Sequence, residues 1–186
     1  MKFGVSSTTA IAAVSLTILG LSASHAQSED KYALKVPGGL AFSEFKGYES
    51  WQTIAISENG PVIAVIVGNP QMIEAFQAGI PGNGKPFPDG AKMAKIHWLP
   101  KKSANPGNPT VPDKLANVDF MVKDSRRFAD SGGWGYGAFE YDAAKAAFRP
   151  GTMQDSPPQS NDAKCGFGCH TIAKARDYVF TEYAPR

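Results

Sequence analysis

"PVIAVIVG" (61–68) is the stretch on which the fold turns. It is a continuous apolar run, too short for a core helix and bounded by Pro61 and Gly68. That combination reads as a strand covered on both faces. Upstream, "FKGYESWQTIAIS" (45–57) mixes aromatic and β-branched residues and ends at the turn "ENGP". Ile54 and Ile56 alternate with polar neighbours, so this too reads as a strand, with one buried face. Downstream, "NPQMIEAFQAG" (69–79) switches to helical spacing. Asn69 is a good N-cap, Pro70 suits the first helical position and Gly79 suits the stop. Met72, Ile73 and Phe76 then share one face.

Three more strands follow. "AKMAKIHWLP" (91–100) puts Ala94, Ile96 and Trp98 on one side and Met93, Lys95 and His97 on the other. "NVDFMVK" (117–123) puts Val118, Phe120 and Val122 on one face. "WGYGAFEYD" (134–142) is an aromatic strand whose glycines leave room for something large to approach the backbone. "IPGNGKPFPDG" (80–90), "KKSANPGNPTVPDK" (101–114) and the Pro/Ser-rich stretch 143–162 read as loops, and "DSRRFADSGG" (124–133) as a short capped helical turn. The expectation is one α+β domain: a mainly antiparallel β-sheet of four or five strands with a few short helices.

The chain begins with Lys2, the apolar run "AIAAVSLTILGLSA" and the small-residue site "SHA". This is the pattern of a secretory signal peptide (1–26) cut after Ala26, which implies a periplasmic or secreted protein with no membrane attachment afterwards. The charge of +2 is near neutral, with 19 basic and 17 acidic residues. Basic residues are scattered, with only "KK" (101–102) and "RR" (126–127) as runs, which argues against nucleic acid as a partner.

"KCGFGCH" (164–170) holds both cysteines. A c-type haem site spaces them as C-x-x-C-H; here one more residue intervenes. The vinyl groups of a porphyrin are fixed in space, so an extra residue must bulge. Gly166 and Gly168 have the backbone freedom to absorb it. Two other readings stay open at this point: a Cys165–Cys169 disulfide, natural in an oxidising compartment, and a zinc site, for which His97 is the only further histidine after the leader.

"GYESWQTIAIS", "AVIVGNPQMIEAFQAG", "PFPDGAKMAKIHW", "VDFMVKDSRRFADSGGWGYGAFEYD" and "CGFGCHTIAKARDYVFTEYAP" occur in an order that resembles the cytochrome P-460 family. The resemblance runs from about residue 45 to the C-terminus. It implies a haem domain (45–186), which with the leader (1–26) leaves an N-terminal extension (27–44). It further implies a homodimer that carries haem c, with iron bound by His170 and thioethers from Cys165 and Cys169. A lysine cross-linked to the porphyrin edge is a feature of cytochrome P-460 itself, and Lys95 is the residue expected there, ahead of Lys92 on the opposite strand face. The implied chemistry is oxidation of hydroxylamine, or nitric oxide chemistry, with electrons passed to a soluble redox partner. The alternatives are a non-enzymatic nitric-oxide-binding protein, like the cytochromes c′-beta, and a simple electron carrier.

Hydroxylamine-oxidising members use a carboxylate as proton acceptor. Glu140, Asp155 and Asp162 are the candidates, each also readable as a surface carboxylate. Trp51, Trp98, Trp134, Phe87, Phe120 and Phe139 line either a haem pocket or the core. Met72, Met93, Met121 and Met153 are sixth-ligand candidates for an electron carrier, or gap-filling core.

Overall fold

The computed structural model describes Met1 and residues 30–37, 40–152, 154 and 166–186. The leader cut, Met153, Asp155, Asp162 and Cys165 lie outside the described residues.

Six strands form one sheet in chain order: β1 (Gln52–Asn59), β2 (Val62–Gly68), β3 (Lys92–Lys102), β4 (Thr110–Lys123), β5 (Trp134–Asp142) and β6 (Ala147–Pro150). Every neighbouring pair is antiparallel. The connection from β2 to β3 carries α1 (Pro70–Gln77). Asn69 caps α1 as expected: its Oδ1 accepts from the Met72 N–H at 3.0 Å. The same oxygen accepts from the Lys92 N–H at 2.9 Å, which ties the helix start to β3.

The sheet is covered on both faces, and alternation along each strand sorts the residues. On the first face Val67, Ala94, Val118, Phe120, Val122 and Phe139 pack with Val36, Leu40, Phe42, Phe45 and Tyr48. These last five come from the segment before β1, which winds through 3-10 turns at Lys31–Ala33, Phe42–Phe45 and Tyr48–Ser50. On the second face Ile54, Ile66, Met93, Met121, Trp134 and Tyr136 pack with α1, Phe87 and Val179.

Three expectations are corrected. Half of the polar stretch 101–114 is strand: β3 runs on to Lys102 and β4 starts at Thr110, so the loop is only 103–109. Two-stranded pairing satisfies the backbone there without an apolar pattern, and the pattern was the signal that periodicity reads. Residues 147–150 form a sixth strand on the edge of β5, again too short for its alternation to show. The glycines of β5 do make room, but for protein. A Cβ at Gly135 would lie 2.3 Å from the Phe128 ring, and one at Gly137 would lie 2.9 Å from Leu40. Both approaches are on the first face.

Candidate haem site

α2 is a single turn, Phe167–His170, continued by a 3-10 stretch, Thr171–Arg176. It holds His170 against the second face of the sheet. The imidazole meets Tyr136 at a centroid distance of 4.9 Å and Phe180 at 4.8 Å. Its Nδ1 lies 2.7 Å from the Tyr178 carbonyl oxygen. A carbonyl only accepts, so Nδ1 carries the proton and Nε2 keeps its lone pair. Burial also lowers the imidazole pKa, with the nearby Lys95 charge adding to this and the Tyr178 hydrogen bond opposing it. The side chain is thus held neutral with one nitrogen ready to bind a metal, the arrangement usual for a ligating histidine.

Cys169 is exposed on the same turn. The two glycines of the motif do not use the backbone freedom expected of them. Gly166 is helical, φ −66° and ψ −19°, and neither Gly166 nor Gly168 has a positive φ. Space is what Gly166 provides: a Cβ there would lie 2.6 Å from the Tyr136 ring, whereas nothing lies within 4 Å of one at Gly168. Gly166→Ala is therefore expected to cost about 1–3 kcal/mol through overpacking and to disturb the His170–Tyr136 contact. Gly168→Ala should be near neutral in thermal denaturation, and equal effects of the two would contradict this reading.

Register places the remaining polar residues. Ile66, Lys95, Asp119 and Ala138 form one row across β2–β5, and Ala64, His97, Asn117 and Glu140 form the next. Both rows point to the second face, the side on which His170 sits. Small alanines at 64 and 138 flank the charged centre. Lys95 is within electrostatic reach of His97, Asp119 and His170. Lys92 is elsewhere: its Nζ donates to the Glu44 carbonyl at 2.6 Å and stands 5.7 Å from the Phe45 ring centroid, on the first face.

Asp119 was not among the acids anticipated from sequence. Its side chain keeps 41% of its surface accessible. Yet so much protein surrounds it that burial pushes its carboxyl up to about 6, against the opposing Asn117 hydrogen bond and Lys95 charge and with Glu140 adding to the rise. Protein thus packs closely around the carboxylate while part of its surface stays open to solvent. Asn117 Nδ2 donates to its Oδ1 at 2.8 Å. His97 Nδ1 stands 3.6 Å from its Oδ2, too far for a hydrogen bond. Burial, with Lys95 beside it, lowers His97 to about 4. The signal available in sequence was only a carboxylate between Val118 and Phe120; its place opposite Lys95 comes from the register.

The anticipated candidates fare differently. Glu140 is on the same face but pairs with Arg149 at the sheet edge. Trp134, Phe87, Phe120 and Phe139 are core, and Trp51 is partly buried against the first core. Met72, Met93 and Met121 are buried with Tyr136 and Trp134 on the second face.

The residues fit a haem in three respects. His170 presents Nε2. Tyr136 Oη and His97 Nδ1, both on the second face, are buried without a protein partner. The Lys95–Asp119 row is flanked by small side chains. Among the described residues, which do not include Cys165, no three His, Cys, Asp or Glu side chains cluster as metal ligands would.

Residues 45–181 match the family model described as Cytochrome P460. No individually curated protein matches the chain.

Proposed function

The chain belongs to the cytochrome P460 family, whose members bind haem, and from that premise we propose that it is an exported c-type cytochrome that oxidises hydroxylamine. The observation that supports this reading is the placement of a neutral, oriented His170 and the raised carboxyl of Asp119 on one sheet face. Cys165 and Cys169 would hold the haem and His170 would bind its iron. When bound, haem supplies an iron that coordinates nitrogen and takes up electrons, which leave to a soluble redox partner. Asp119, ionised above about pH 6, accepts a proton from the substrate. Lys95, within electrostatic reach of Asp119, is the lysine that a porphyrin cross-link would use; once linked, its nitrogen would no longer be an ammonium. His170 is held against rotation by Tyr178. Export to the periplasm or beyond follows from the leader, and a homodimer from the family resemblance.

A haem-stained denaturing gel, on protein made with the c-haem maturation machinery, tests attachment. Stain that disappears in a Cys165→Ala/Cys169→Ala double variant supports the reading, and an unstained wild type refutes it. Turnover of hydroxylamine tests the activity. Bound nitric oxide without turnover would instead assign a non-enzymatic nitric-oxide-binding role. A sharp low-spin spectrum indifferent to nitric oxide would assign an electron carrier. The ferrous band tests the cross-link: Lys95→Ala should abolish a red-shifted band and Lys92→Ala should leave it. The reverse pattern would move the link to Lys92.

A further inference from the structure

Lys123 ends β4 with its side chain 7% exposed, facing Asp177 at 12%. Its Nζ donates to the two Asp177 carboxylate oxygens at 2.8 and 2.9 Å and to the Gly132 carbonyl at 3.0 Å. Three acceptors thus match the three donors of an ammonium. Asp177 Oδ2 also accepts from the Phe87 N–H at 2.8 Å. A pair buried this deeply is weak grounds for stability, because desolvation offsets much of its attraction. What it holds in place is more telling.

Asp177 and Tyr178 both adopt left-handed backbone, with φ of 48° and 63°. Such angles are uncommon away from glycine, and more so for a bulky tyrosine. These dihedrals set the direction of the Tyr178 carbonyl, the acceptor for His170 Nδ1 at 2.7 Å. The Tyr178 ring is fixed from the other side. It lies over Gly132, where a Cβ would come within 2.2 Å of it, and meets Phe167 at 5.4 Å. Gly133 leaves similar room for Lys123, whose Cε would be 3.2 Å from a Cβ there. The segment "KDSRRFADSGGWGYG" therefore wraps one ion pair, contributing Lys123, Gly132 and Gly133 to it.

We propose that Lys123 and Asp177 are positioning residues for His170. The pair clamps the left-handed Asp177–Tyr178 link and so aims the Tyr178 carbonyl at Nδ1. This rests on His170 being the iron ligand, as proposed above. A carbonyl that accepts the Nδ1 proton fixes the ring and makes Nε2 a stronger donor to the metal. Loosening the clamp weakens both effects.

The test uses the haem-loaded protein and two readouts: the iron–histidine stretching frequency of the ferrous form, and the rate at which nitric oxide drives His170 off the iron. In Asp177→Asn and Lys123→Met the frequency should fall and the release rate should rise about tenfold or more. Asparagine tolerates the left-handed backbone at 177. The double variant leaves no unpaired charge and serves where a single one fails to fold. Lys123→Arg should restore most of the wild-type behaviour. Val118→Ala, on the opposite sheet face, should lower stability without moving either readout. Clamp variants that lose stability yet keep the wild-type frequency and release rate overturn the proposal. A wild type with no iron–histidine band overturns it together with the assignment of His170, so the two failures are told apart.

Discussion

Asp119→Asn should slow hydroxylamine oxidation by about 10²–10⁴-fold, the usual range for losing a positioned general base, while haem attachment and nitric oxide binding persist. Burial raises this carboxyl to about 6, so it is protonated below that value and ionised above it. A base works when ionised, so kcat/KM should climb as pH rises through about 6. The limb should vanish in Asp119→Asn. Hydroxylamine has its own ammonium titration, but that is common to every variant, so the limb that changes belongs to the protein. His97 is neutral across this window because burial holds it at about 4, and His97→Gln should leave the limb in place. An unlinked Lys95 cation favours the ionised carboxylate, so in unlinked protein Lys95→Ala should move the limb to higher pH, whereas a Lys95 bonded to the porphyrin has no such charge to lose. A wild-type limb surviving in Asp119→Asn would sink the assignment.

The same shift acts on stability, with a sign that separates a functional acid from a structural one. Because the folded-state value is raised, the stability that Asp119 contributes is fully present below the ordinary carboxylate pKa. It is lost as pH rises through about 6. Near neutral pH the protein therefore holds an ionised group that folding disfavours. Asp119→Asn should be slower in turnover yet no less stable, the pattern of a residue kept for function at the expense of the fold.

Much of the framework is readable from local pattern. The run 61–68 and the cap at Asn69 are sufficient for β2 and α1, because each rests on short-range chemistry. Alternation in 91–100 also separates Lys95 from the core side, and Lys92 proves to be engaged on the opposite face. Asp119 escaped notice for a related reason. Alternation in 117–123 identifies Val118, Phe120 and Val122 as core and is silent about the importance of the residues between them. Only the register of β4 between β3 and β5 brings Asp119 beside Lys95. Asp177 was hidden more deeply, since its partner Lys123 is 54 residues away. The residues before β1 carry no period at all, because 3-10 turns of three or four residues are too short to show one.

Those residues matter nonetheless, and Phe42→Ala should show it, with an expected loss of about 3–5 kcal/mol. Phe42 is fully buried and lies three residues before the family match begins. Its ring meets Phe139 at 4.8 Å, Phe120 at 5.1 Å, Phe148 at 5.2 Å, and Tyr32 and Tyr48 at 5.9 Å, mostly edge to face. Edge-to-face pairs add to simple burial, so truncation removes several favourable contacts at once. The rigid sheet beneath cannot collapse into the space, and the cavity adds to the loss. For a chain of this size the change corresponds to roughly 6–20 °C in Tm. The haem absorption bands should stay where they are, because Phe42 packs on the first face and His170 on the second. A loss below about 1 kcal/mol, well short of the usual cost of emptying an aromatic site, would mean that this segment is a detachable extension. A large loss with unmoved bands would mean that the sheet needs a cover on each side: one built by the N-terminal turns for stability, the other shared with the cofactor.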